Sequence, residues 1–183
     1  MTIPRVIPAY LDVLDTQRET MFAALSGLSE DQIWQRPARR EWCIGEILDH
    51  DILLIASILP YVRFAWNLFH RLGMRRRSRP YSTSLPDPYR DPRFPMWVGF
   101  LWAPRVHPNR RVSLESIQLQ MRNLHHRVRF FYEGKPEDVL GNVFVHDPYF
   151  GWLNLIVTLQ IGIYHDRLHN EDIIRLAGAM NTL

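Results

Sequence analysis

Cysteine is nearly missing from this chain: Cys43 is the only one in 183 residues. No internal disulfide can form, and a lone thiol agrees with a reducing, cytoplasmic setting. Lysine is as scarce. Lys135 stands alone, and arginine carries the positive charge. The net charge of only +3 excludes a general polyanion binder. Also missing are a Walker loop, a Gly-x-Gly-x-x-Gly fingerprint, a Cys-x-x-Cys pair, any internal repeat and any low-complexity tract. The opening Met1-Thr2-Ile3-Pro4-Arg5 shows no signal-peptide pattern. Asp49-His50-Asp51 breaks one long apolar run and His165-Asp166-Arg167 breaks the other, so neither is expected to span a membrane. No membrane partner is expected.

What is present is a chain that is 46% apolar and long enough to bury a proper core, expected to form one domain over residues 1–183. Leu11, Leu14, Met21, Phe22 and Leu25 fall on one side of an amphipathic helix near 8–26, ended by Gly27. Ser29-Glu30-Asp31-Gln32 is a capping-box pattern that predicts a short helical turn. A second helix is expected over 43–70, with Pro60 as a kink. Ile117, Met121, Leu124, Val128 and Phe131 predict a third over 113–132. On it His125 and His126 point about 100° apart, so at most one faces the core. Asp147-Pro148 predicts the start of a fourth helix over 148–177, with aspartate as N-cap and proline at the first helical position. With no alternating strand pattern, the fold class is an all-α four-helix bundle.

Between the second and third helices, Gly73 to Arg111 changes character. It holds Arg75-Arg76-Arg77 and the prolines Pro80, Pro86, Pro88, Pro92, Pro95, Pro104 and Pro108. An irregular excursion of this length packs over the bundle or shapes a site. Its apolar Met96-Trp97-Val98-Gly99-Phe100-Leu101-Trp102 must cover something, as a lid or a subunit contact. The arginines at 75–79 read as a solvated charged turn.

The chemistry is concentrated in Tyr164-His165-Asp166-Arg167-Leu168-His169. Four residues apart on a helix, His165 and His169 project from one face and can share a transition metal. Two ligands do not hold a metal firmly, so a third must come from elsewhere. His50 lies mid-helix on an apolar element, where a lone histidine reads most simply as a hydrogen-bonded core residue. Asp166 is one methylene short of the glutamate that a His-Glu-x-x-His protease needs, so that reading is rejected. Outside 75–79 there is no basic stripe and no helix-turn-helix spacing, so nucleic acid is not an expected partner.

The order and spacing of these elements resemble the DinB superfamily of bacterial four-helix bundles. The matching stretches are Trp42-Cys43-Ile44-Gly45-Glu46-Ile47-Leu48-Asp49-His50, Pro148-Tyr149-Phe150-Gly151-Trp152-Leu153, and His165-Asp166-Arg167-Leu168-His169-Asn170-Glu171-Asp172-Ile173. The resemblance implies that His50, His165 and His169 together bind one divalent metal. It also implies a use. Some relatives are transferases or isomerases that activate a low-molecular-weight thiol such as bacillithiol or mycothiol.

Three neutral imidazoles suit zinc, nickel or iron and leave positions open for water or substrate. The expected function is a metal-dependent thiol S-transferase acting on a small molecule. The alternative is a non-catalytic bundle that the metal staples together. Glu46 and Asp172 are candidates to orient the imidazoles, the alternative being ordinary solvent-facing carboxylates. Trp102 and the Pro-rich excursion are expected to line the substrate side. A homodimer is expected, because the fourth helix is apolar nearly all round and Trp97 to Trp102 is hard to leave in water.

Overall fold

The computed structural model describes residues 5–95, 99 and 101–180. Its helices are α1 (Val6–Ala24), α2 (Glu30–Ile33), α3 (Ile44–Arg76), α4 (Leu114–Tyr132), α5 (Glu137–Leu140) and α6 (Leu155–Met180). A hairpin of β1 (Phe144–Asp147) and β2 (Gly151–Asn154) precedes α6. The long helices α1, α3, α4 and α6 make the bundle, with α1 and α3 each packing on both α4 and α6. The all-α four-helix architecture is as the periodicity predicts.

Local chemistry sets the ends. Ser29 and Gln32 form the reciprocal capping box of α2. Ser113 Oγ accepts from Ser116 N at the start of α4. Gly27 takes φ +91° just past α1, a left-handed conformation that a side chain would oppose. At Gly45 an added Cβ would stand 2.7 Å from the Trp34 ring, so α3 and the α2 turn approach closely only because that residue is glycine.

Two expectations are corrected here. The fourth helix starts at Leu155, not at Pro148. Asp147 does cap, but it caps a turn: its Oδ1 accepts from Tyr149 N and Phe150 N, each at 2.8 Å. Gly151 at φ +73° then returns the chain antiparallel, pairing Asp147 with Gly151 and Phe144 with Asn154. The helix N-cap is instead Asn154, whose Oδ1 accepts from Val157 N at 2.9 Å. The second correction lengthens α3. It runs without a break through Pro60 and takes Gly73 to Arg76 into its last turns, where arginines oppose the negative end of the helix dipole.

Buried apolar residues fall into two clusters stacked along the bundle. One holds Ile7, Leu11, Leu59, Val62, Val128, Leu155 and Ile163 among others. The other holds Met21, Phe22, Ile47, Leu48, Met121, Leu124 and Ile173 among others. A polar layer adjoins them: His50 and Asp51 on α3, set between Leu48 and Ile52 of the second cluster, and His125 on α4 and His165, Asp166 and Asn170 on α6, which fall between the two clusters in chain position, all buried. His126, by contrast, is exposed.

The Pro-rich excursion is tied down on α6. Asn154 Nδ2 donates to Ser82 O at 2.8 Å, Leu85 N donates to Gln160 Oε1 at 2.8 Å, and Tyr164 OH donates to Leu85 O at 3.1 Å. Arg167 pairs with Asp87 beside the 3-10 turn Pro88–Arg90. With α1 and α3 on its other sides, α6 has most of its apolar circumference covered within the chain. Of the apolar stretch in the excursion, Met96, Trp97, Val98 and Phe100 lie outside the described residues.

Candidate metal centre and its cavity

The polar layer brings the three sequence-predicted ligands together. His50 Nε2 and His165 Nε2 stand 3.2 Å apart. The ring centroids of His50 and His169 are 4.9 Å apart, and those of His165 and His169 are 4.5 Å apart. The helical spacing of His165 and His169 supplies one side of the cluster and α3 supplies the other.

Asp51, which sequence reasoning missed, completes it. Its Oδ1 lies 3.5 Å from His165 Nδ1 and 4.0 Å from His169 Nε2. One donor atom from each of His50, Asp51, His165 and His169 can be chosen so that all lie within 4.8 Å of one another.

The tautomer of His50 follows from its neighbours. Its Nδ1 is 2.9 Å from the carbonyl oxygen of Trp102, which can only accept, so Nδ1 carries the proton and Nε2 presents a lone pair. That is the second-nitrogen hydrogen bond expected of a metal-binding imidazole, and a backbone carbonyl from the excursion supplies it. The expected orienting carboxylates do not. Glu46 lies one turn before His50, but its side chain reaches back to the start of its own helix, accepting from Cys43 N at 3.1 Å and pairing with Arg36 and His107. Asp172 pairs with Arg175 on the outer face of α6.

A divalent ion fits what is there. Two nitrogens bound to one tetrahedral ion at about 2.0–2.1 Å are separated by about 3.3 Å, close to the His50–His165 separation of 3.2 Å. Asp51 Oδ1 and His165 Nδ1 are buried without a hydrogen-bond partner among the described residues, which a packed protein rarely tolerates. Burial holds His50 below the usual imidazole range, although the Trp102 carbonyl and Asp49 oppose it. Burial and then the neighbouring imidazoles of His169 and His50 push His165 well below it. Burial and then His50 take His169 down to about 3. All three are therefore neutral, the form that ligates. Burial, then the charge of Asp166, pushes the Asp51 carboxyl well up. A dication beside Asp51 and Asp166 would remove that penalty by balancing two buried carboxylates.

The cluster opens on a cavity of about 620 Å³. Its walls are mostly apolar: Leu54, Ile58 and Val62 from α3, Phe94 and Trp102 from the excursion, and Phe150 from the hairpin turn. Trp102 thus lines the cavity as expected, and Trp102 Nε1 is held by Ser57 Oγ at 2.7 Å. Tyr89 stands with its ring centroid 5.8 Å from that of His165. His125 and Asp166 share the cavity lining, with His125 Nε2 3.3 Å from Asp166 Oδ2. Asp51 did not announce itself in the sequence, and His125 did so only as one of two neighbours of which at most one faces the core. The only available signal was the helical register of His125 with Leu124 and Val128 on a buried face.

The model of the DinB superfamily matches residues 14–173 of this chain. The chain belongs to the DinB superfamily. The match runs from within α1 to Ile173 on α6 and takes in every residue of the metal cluster. No curated protein matches the sequence. This DinB-superfamily protein therefore combines a four-helix bundle with a histidine and aspartate cluster that could hold a metal ion.

Proposed function

We propose that this DinB-superfamily protein is a metal-dependent S-transferase that joins a low-molecular-weight thiol to an electrophilic small molecule. The observation that carries the reading is the apolar cavity opening directly on His50, His165 and His169 of the cluster they form with Asp51. His50, His165 and His169 are proposed as the ligands, with Asp51 beside them. These residues would hold a divalent metal, which would supply a lowered pKa to a bound thiol and so a nucleophile at neutral pH.

The chain's own residues do the rest. The imidazoles stay neutral because the site is buried. The Trp102 carbonyl fixes His50 in the ligating tautomer. Leu54, Ile58, Val62 and Phe94 offer an apolar acceptor a dry wall, which keeps water from competing as the nucleophile. His125 and Asp166, in the same cavity, are placed to take a proton or hold a polar group of either substrate.

The test is a panel of bacterial thiols with monochlorobimane, in which an S–C bond forms, chloride leaves and the thiol proton is released. Conjugation above the uncatalysed rate that needs both metal and one thiol of the panel supports the reading. No acceleration with any thiol favours the metal-stapled, non-catalytic bundle. A homodimer is proposed on the Trp97 to Trp102 stretch, where Leu101 is 65% exposed. Sedimentation showing only a monomer at micromolar concentration would reject it.

A further inference from the structure

The C-terminal half of α3 carries apolar side chains that no other described residue covers. Tyr61, Phe64, Leu68 and Leu72 recur at helical spacing along one stripe, and they are 43%, 62%, 58% and 40% exposed. The hairpin extends the stripe. β1 runs beside this half of the helix, with His146 N donating to Tyr61 OH at 3.2 Å and Val143 packed at Gly73. That brings Phe144, 40% exposed, and Trp152, 70% exposed, alongside. An exposed apolar stripe of this kind, with further exposed aromatics on the neighbouring hairpin, marks an interaction surface.

The charge around the face is one-sided. From Ile52 to Pro86 the sequence contains Arg63, Arg71, Arg75, Arg76, Arg77 and Arg79 and no aspartate or glutamate. Arg77 pairs with Asp138 at 2.7 Å. The described residues offer the other five no ion pair. Arg71 and Arg75 follow the stripe itself at the same helical spacing, and both are exposed.

We propose that this face lies on an anionic lipid bilayer, with Phe64 and Leu68 entering the headgroup boundary and the arginines on the phosphates. Aromatic and leucine side chains flanked by arginine are what such a surface takes up. A second copy of the chain answers the charge poorly. A twofold contact sets a face against itself, so the same arginines would meet with no acid between them.

Lying on a bilayer is distinct from spanning it. By length and composition α3 could cross a membrane. Its other side holds Val62, Ala65 and Gly73 in the bundle, which keeps the helix attached to the fold. Whether the helix could span a membrane therefore does not bear on this mode. The proposal is independent of the thiol reading.

The experiment floats the full chain on vesicles of pure phosphatidylcholine and of phosphatidylcholine mixed with phosphatidylglycerol. The protein should float with the mixed vesicles only, and added salt should release it. Arg71→Gln with Arg75→Gln should lower the partition about fivefold per charge removed. Phe64→Ser with Leu68→Ser should lower it about tenfold or more. Leu119→Ser, at an exposed apolar position on α4, should leave it unchanged. No flotation with the mixed vesicles overturns the proposal, as does equal flotation with both. A dimer in sedimentation that the Phe64/Leu68 pair of substitutions splits assigns the face to a second copy and also overturns it.

Discussion

The two halves of α3 share one helix and an apolar composition, yet they meet opposite surroundings. From Ile44 to Ile52 nearly every side chain is buried, including the polar Glu46, His50 and Asp51. From Tyr61 to Arg76 the helix buries one narrow side and leaves aromatic and arginine side chains in the open. The first half is wedged among α1, α2, α4 and α6, and the second packs one side on α4, α5, β1 and part of α6 and leaves the other side open among the described residues. Hydropathy alone reads both halves as core. What separates them is the presence of charge: carboxylates and imidazoles where the fold closes, and unanswered arginine where it stays open.

Substitutions can break or sharpen that comparison. The largest contrast is expected between Leu48→Ala and Leu68→Ala. Leu48 is fully buried, and its truncation should cost about 2–5 kcal/mol in urea unfolding. Leu68→Ala, at 58% exposure, should change stability by less than about 0.5 kcal/mol. Equal losses at both positions would mean that the second half is covered after all.

Gly45→Ala is next. Its new Cβ would stand 2.7 Å from the Trp34 ring, and overpacking a buried contact of this kind should cost about 1–3 kcal/mol. Unchanged stability would show that Trp34 can move aside.

The third effect is a pH slope in the metal-free protein. The folded state holds His50, His165 and His169 with lowered affinity for protons, His169 down to about 3. The unfolded chain takes up those protons first as pH falls below the ordinary imidazole value. The contribution of these three histidines is therefore flat above about pH 6.5 and falls as pH drops towards the folded values, by at most about 1.4 kcal/mol per pH unit for each histidine, while the raised Asp51 carboxyl slopes the opposite way. Replacing His169 by glutamine should flatten the slope. The same slope in wild type and variant would contradict a buried neutral His169.

Much of this was legible in the sequence because it rests on spacing. His165 and His169 are one turn apart, and the four long helices announce themselves by period. His50 was legible only through the family pattern, since one histidine on an apolar helix looks like any core histidine. Asp51 was hidden because the next residue along a helix points about 100° away; it reaches the cluster because α6 packs across that side of α3. Asp147-Pro148 misled because one chemistry serves two structures: an aspartate accepting from the next backbone amides starts a tight turn as readily as a helix. The strands of the hairpin are only four residues each, too short to show an alternating pattern. Arg75 and Arg76 read as a charged loop but end a helix, where their charge is favourable.

The central claim is that the buried half of α3 and the facing side of α6 are built to hold a metal. Elemental analysis of the protein purified without chelators tests it most directly, followed by uptake from zinc, nickel and ferrous solutions at neutral pH. The account predicts close to one equivalent of transition metal per chain. It predicts a sharp loss in each of His50→Ala, His165→Ala and His169→Ala, and no loss in His70→Ala, which lies on the exposed half of the same helix. Less than about a tenth of an equivalent as purified, with no uptake from any of the three solutions, would contradict the account and leave the histidines as core residues.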